Sequence, residues 1–131
     1  MSGMDGIDAA EFVEQWVKHW NAHDLEALLE HFAPRVTFTS PVAARVLSGS
    51  DGVIRGKDAL REYWATGLRL IPDLRFEVVA SYVGINTLVI NYRNQKGNLV
   101  NEVLIFDGPL VVEGHGTYQL GDDNPSGAQE G

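Results

Sequence analysis

Apolar residues along the chain fall into two regimes, with helical spacing up to about Ile71 and strand-like patterning after it. Val13, Trp16, Val17 and Trp20 stand at i, i+3, i+4 and i+7, one apolar stripe on a first helix from about Asp8 to Asn21. Asp24 suits a helix N-cap, and Leu25, Leu28, Leu29 and Phe32 repeat the spacing on a shorter second helix that Pro34 closes. Val36 to Ser40 is β-branched and aromatic and reads as a short strand ended by Pro41. Val42 to Arg55, with Ser48, Gly49, Ser50, Asp51 and Gly52, reads as a loop. A third helix from about Lys57 to Ile71 presents Leu60, Tyr63, Trp64, Gly67 and Leu68 along a broad seam, and Pro72 stops it.

Four strands follow: Leu74 to Val83, Thr87 to Asn94, Leu99 to Phe106 and Leu110 to Leu120. The segments between them carry turn residues (Gly84-Ile85-Asn86, Gln95-Lys96-Gly97-Asn98, Asp107-Gly108-Pro109), and such short connections make sequential strands antiparallel neighbours. Helices first and a meander second predict an α+β fold, with three N-terminal helices packed on a strongly curved antiparallel sheet. A sheet curled around a long helix leaves a conical space, so an internal pocket is expected. One domain should cover residues 7–120, with 1–6 and 121–131 as flexible tails, because neither end has apolar periodicity.

Composition narrows the function. Ten Lys and Arg against eighteen Asp and Glu give a net charge of −8, which opposes binding to nucleic acid or to an anionic membrane surface. The chain has no Cys, hence no disulfide, thiolate nucleophile or Cys-based metal site. No apolar run approaches the roughly 20 residues of a membrane span, and the first residues lack the basic start and apolar run of a secretion signal, so a cytoplasmic protein is expected. His19 and His23 have i, i+4 spacing but straddle a helix break, and with His31 they lack an acidic third ligand, so no metal is expected. Phosphate loops, dinucleotide loops and nucleophile elbows are missing too, and no cofactor is expected.

Three strings carry a resemblance. They are FVEQWVKHWNAHDLEALLEHFAPRVTFTSP, then IRGKDALREYWATGLRLIPDLRFEV, then NEVLIFDGPLV. In this order and spacing they resemble the SnoaL-like branch of the nuclear transport factor 2-like superfamily, over about residues 8 to 120. The resemblance implies an α+β cone whose hollow takes small, mostly apolar or carbonyl-bearing molecules, usually in a homodimer. It implies no single activity, since similar proteins include isomerases, polyketide cyclases, epoxide hydrolases and binding modules.

Matched position by position, the Tyr, Asp and protonated acid of ketosteroid isomerases of this fold fall here at Trp16, Ser40 and Glu102, so only the third survives. The Asp–Arg–Asp set of limonene-epoxide-hydrolase-like members falls at about Val89, Asn91 and His115 and is missing. Aldol cyclases of the SnoaL type carry an acid/base group near the place of His115.

Two residues are therefore the catalytic candidates. Glu102 sits among Val100, Val103, Leu104 and Ile105, and alternation puts it on the face of Val100, Leu104 and Phe106. The resemblance turns that face into the cone, where burial would raise the carboxyl pKa and suit it to proton transfer. His115 lies between Gly114 and Gly116, which leave room for close approach, and imidazole titrates near neutral pH. Trp16, Trp20, Phe38, Tyr63 and Trp64 are candidates for an aromatic wall around a flat or apolar ligand, with Ser40 and Asn91 as polar contacts. The expected activity is cofactor-independent proton transfer on a carbonyl or polyketide-like substrate. A non-catalytic binding module and a dimerisation scaffold are the alternatives.

Overall fold

A computed structural model describes residues 8–47 and 49–121. The tails expected at 1–6 and beyond Gly121 lie outside the described residues. The elements run α1 (Ala9–Asn21), α2 (Leu25–Leu29), β1 (Phe32–Thr39), α3 (Pro41–Val46), β2 (Val53–Arg55), α4 (Lys57–Leu70), β3 (Glu77–Gly84), β4 (Thr87–Arg93), β5 (Leu99–Asp107) and β6 (Leu110–Tyr118). The six strands form one curved, unclosed sheet in the order β2-β1-β6-β5-β4-β3, with the helices on its inner face. The fold is α+β, as the sequence predicts.

Local chemistry explains most boundaries. Asp8 caps α1 by accepting from the Glu11 N–H at 3.1 Å, and Asp24 caps α2 by accepting from the Ala27 N–H at 3.2 Å. Ser40 caps α3, its hydroxyl accepting from the Val42 N–H at 3.1 Å, with Pro41 in the first turn. Gly52 approaches the Ser40 carbonyl so closely that a Cβ would lie 3.1 Å from that oxygen, and its φ of +87° also requires glycine.

Three expectations need correction. Phe32 is not the last apolar residue of the second helix but the first of β1, fully buried, and Pro34 sits exposed within that strand rather than ending a helix. A register shift between Phe32 and Thr37 accommodates it, since proline cannot donate to a ladder. The expected loop over 42–55 contains α3 and β2, and β2 pairs antiparallel with β1 (Phe38 opposite Ile54). Finally, the sheet is antiparallel except between its second and third strands, β1 and β6, which run parallel, Phe38 opposite Gly114 and Thr39 opposite His115.

The core lies between sheet and helices. Phe12, Val13, Trp16 and Trp20 descend from α1, and Leu60, Tyr63 and Trp64 from α4. They meet Phe32, Val36 and Phe38 of β1, Leu88, Ile90 and Tyr92 of β4, and Val100, Leu104 and Phe106 of β5. The rings interlock edge-on or tilted: Trp20 on Trp64 at 4.9 Å, Phe32 on Trp64 at 5.4 Å, Phe76 on Tyr92 at 4.4 Å.

Candidate functional site

The core does not fill the cone. A cavity of about 490 Å³ opens between α3, α4 and the ends of β1, β4, β5 and β6. Its walls are mainly aromatic (Trp20, Phe38, Tyr63, Trp64, Phe76, Tyr92), and its exposed lining residues include Arg45, Asp73, Lys96 and Leu70. That volume suits a small organic molecule.

At the wall of the cavity lies Glu102, 4% exposed. Register explains its position. Glu102 pairs with Ile90 of β4 and Gly116 of β6, and both belong to the face that the helices cover. Burial pushes the carboxyl pKa up to about 8, because the charged form loses its water. At neutral pH the group is predominantly the neutral acid, able to donate a proton.

Three hydroxyls accompany it. Tyr63 donates to the Ser40 hydroxyl at 3.4 Å, and Tyr118 also hydrogen-bonds Ser40. Burial pushes the Tyr63 phenol up to about 12 and also raises Tyr92 and Tyr118, with the nearby Glu102 carboxyl adding to each shift. These phenols remain protonated donors under all ordinary conditions. Ser40 is buried at the point where β1 turns into α3, so its oxygen serves as helix cap and as a hydroxyl hub at once.

The structure separates the two catalytic candidates. Glu102 faces the cavity, but His115 lies on the opposite, outer face of the sheet, directly across from Val103. Its ring is held there by 2.6 Å contacts on both nitrogens, to the Thr39 hydroxyl at Nδ1 and to Glu113 at Nε2. The expectation of a Glu102–His115 pair is therefore corrected, because the residues sit out of phase on adjacent strands. Gly114 and Gly116 do not make room beside His115. A Cβ on Gly114 would lie 2.8 Å from the Phe38 ring, so that glycine seats Phe38, while Gly116 lies beside Ser40.

Asn91 is also on the outer face, where it donates to the Asn101 side chain at 2.8 Å, and it does not line the cavity. Trp16 is 1% exposed and packs behind the wall on Phe76 and Tyr92. Trp20, Phe38, Ser40, Tyr63 and Trp64 line the cavity as expected. The buried indole N–H groups of Trp16 and Trp20 find no acceptor among the described residues. Sequence reasoning missed Tyr92, Tyr118, Phe76, Arg45 and Lys96. For Tyr92 the signal exists, since Leu88, Ile90 and Tyr92 alternate on one face of β4, opposite Asn91.

With the geometry established, comparison with known proteins places the fold. A sequence profile of the SnoaL-like domain matches residues 13–123. The chain belongs to the SnoaL-like family. A solved SnoaL-like protein of unknown function from Burkholderia thailandensis is 40% identical, covering 86% of this chain and 95% of its own, with a TM-score of 0.78. IdmH, a proposed polyketide cyclase from Streptomyces antibioticus, is 15% identical over 84% of this chain and 91% of its own, at a TM-score of 0.70. A proposed polyketide cyclase from Sinorhizobium meliloti is 12% identical over 85% of this chain and 100% of its own, at 0.68. The last two show likeness of fold. A search of curated proteins found no match.

Proposed function

We propose that this SnoaL-like protein is a cofactor-independent enzyme of the isomerase or cyclase type, moving a proton on a small carbonyl-bearing molecule held in the cone. The observation that carries this reading is the Glu102 carboxyl, buried at the cavity wall with a pKa of about 8. A general acid or base works best when its pKa lies near the working pH, because both protonation states are then accessible. In its ionised form Glu102 takes a proton from the carbon next to the carbonyl, and as the acid it returns a proton at another position. Negative charge then grows on the substrate oxygen. The neutral Tyr118 phenol is a donor suited to that oxygen, while Tyr63 donates its one hydroxyl proton to the neighbouring Ser40. The aromatic wall orients an apolar or planar substrate and excludes water.

Deuterium exchange into the α-positions of an aromatic ketone such as 2-tetralone, followed by proton NMR, tests this without knowledge of the natural substrate. The protein should accelerate exchange over buffer, and Glu102→Gln should remove the acceleration by a factor on the order of 10²–10⁴. Exchange by the variant at the rate of the parent would overturn the proposal. The position of His115 outside the cavity favours one alternative, a binding module with no second acid/base partner for Glu102. Saturable quenching of Trp20 and Trp64 by the ketone, with exchange no faster than in buffer, would select it.

We also propose a homodimer, supported by half-buried Val89, Val103 and Ile105 on the uncovered outer sheet face. Sedimentation at the monomer mass would contradict it.

A further inference from the structure

Two side chains on the cavity wall are buried, polar and unpartnered. Glu102 is 4% exposed and Tyr92 5%, and among the described residues neither side chain makes a hydrogen bond or an ion pair. Their oxygens are not sealed into the core, where the fully enclosed side-chain atoms without a partner are the indole nitrogens of Trp16 and Trp20. They therefore open into the cavity that both residues line. Register brings them together. Tyr92 stands two residues beyond Ile90, the partner of Glu102 on β4, and Tyr118 two residues beyond Gly116, its partner on β6. Long side chains at such diagonal positions on one face of a sheet are within reach of each other. The Glu102 charge acts on the phenols of Tyr92, Tyr118 and, from α4, Tyr63, so one carboxyl has three aromatic rings for neighbours.

This combination has a chemical complement. An ionised carboxylate so deeply buried is stable only beside a positive charge. Aromatic rings, which form most of the wall, attract cations through their electron-rich faces, and a neutral ligand gains no such attraction. The other charged residues on the lining, Arg45, Lys96 and Asp73, are exposed, where water weakens their action on a ligand at the Glu102 end. At longer range the net charge of −8 draws cations toward the protein.

We infer that the cavity binds an organic amine as its ammonium ion, with the nitrogen against the Glu102 carboxylate and the Tyr92 hydroxyl oxygen and the apolar body against the rings. The inference rests on the reading of the cavity as a ligand site and goes beyond it, because it requires binding of the amine and no turnover.

A matched pair of probes tests it, 2-phenylethylamine and 2-phenylethanol, titrated against the whole protein by calorimetry. The two share an apolar body and differ in charge, since an alkylamine stays protonated well above pH 8. At pH 8, where about half of Glu102 is ionised, the amine should bind about tenfold tighter than the alcohol or more. Affinity for the amine alone should rise on the order of tenfold from pH 6 to pH 8. Glu102 loses its proton over that range while the phenols of Tyr63, Tyr92 and Tyr118 keep theirs, and no histidine lines the cavity. Glu102→Gln should bring the amine to within about twofold of the alcohol and abolish the rise with pH. An amine that binds the parent protein no tighter than the alcohol, undetectable binding of both included, would overturn the inference, and so would a preference that survives in Glu102→Gln. The comparison in the parent protein needs no variant to fold. Ketone exchange without amine preference removes this inference and leaves the proton-transfer reading standing, and amine preference without exchange does the reverse.

Discussion

Gly114 shows how much one missing atom decides in this core. On β6 it lies opposite Phe38 of the parallel strand β1, and a Cβ there would fall 2.8 Å from the Phe38 ring and 3.2 Å from a Leu104 methyl. Leu104 is fully buried, and Phe38, nearly buried at the cavity wall, must shift to admit the new methyl. Gly114→Ala should therefore destabilise the protein by about 1–3 kcal/mol, the usual cost of overpacking, measurable as a lowered urea midpoint. Because Phe38 also lines the cavity, the same substitution should weaken binding of any aromatic probe. A variant with unchanged midpoint would show that the ring moves freely. The apparent invitation of two glycines around His115 thus has a packing origin, and it concerns the opposite face of the strand.

Among elements, the link between α1 and α2 holds more than the two helices it joins. Asn21, the last residue of α1, donates to the Phe76 carbonyl at 3.0 Å and accepts from the Phe76 N–H at 2.8 Å, replacing a strand partner for that backbone. His23, in a left-handed conformation with φ of 58°, donates from Nε2 to the Leu74 carbonyl at 3.0 Å. The string Asn21-Ala22-His23-Asp24 is therefore a clamp on the segment that leads into β3, followed by the cap of α2. It also fixes Phe76, which stacks on Trp16 and forms part of the cavity wall. Asn21→Ala leaves a part-buried backbone N–H and C=O without these partners and should cost about 1–3 kcal/mol in chemical denaturation. Amide exchange near Phe76 should accelerate more than exchange in β5. Uniform acceleration across the sheet would contradict a local clamp. That this string marks the family resemblance now has a physical reason, which spacing alone does not supply.

For the whole molecule, the buried acid makes stability depend on pH. Glu102 titrates near its ordinary carboxylate value of 4.5 when unfolded and at about 8 when folded, so the folded protein binds the extra proton between those values. Its contribution is fully present below about 4.5 and is lost as pH rises through 8. Glu102→Gln keeps the shape without the ionisation. The melting temperature of the variant minus that of the parent should grow between pH 5 and 8 and then level off, reaching a few kcal/mol in stability. A difference that is flat across this range would mean that the carboxyl is not desolvated. His31 works in the other direction. Burial, reinforced by the neighbouring His19, lowers its pKa, so the parent protein should also lose stability as pH falls below about 6.5. Taking the difference between variant and parent removes that common slope.

Much of this architecture was legible because helices and turns are set by neighbours in sequence. The stripe Val13, Trp16, Val17 and Trp20 makes α1 whatever it packs on, and a carboxylate alternating with Val100, Leu104 and Phe106 places Glu102 on an apolar face. Phe32, α3 and β2 were harder, since a lone phenylalanine and short polar segments fit helix, strand or loop until a partner strand is present. The side of the sheet on which His115 stands was decided by long-range pairing. Alternation defines two faces but does not say which one the helices cover, and on β6 the inward positions 114 and 116 are glycines that carry no apolar signal. A register shift beside Ile105 and Phe106 further breaks the count along the strand. Only the pairing of β6 with β1 and β5 resolves the phase, and it does so with residues more than ten positions away.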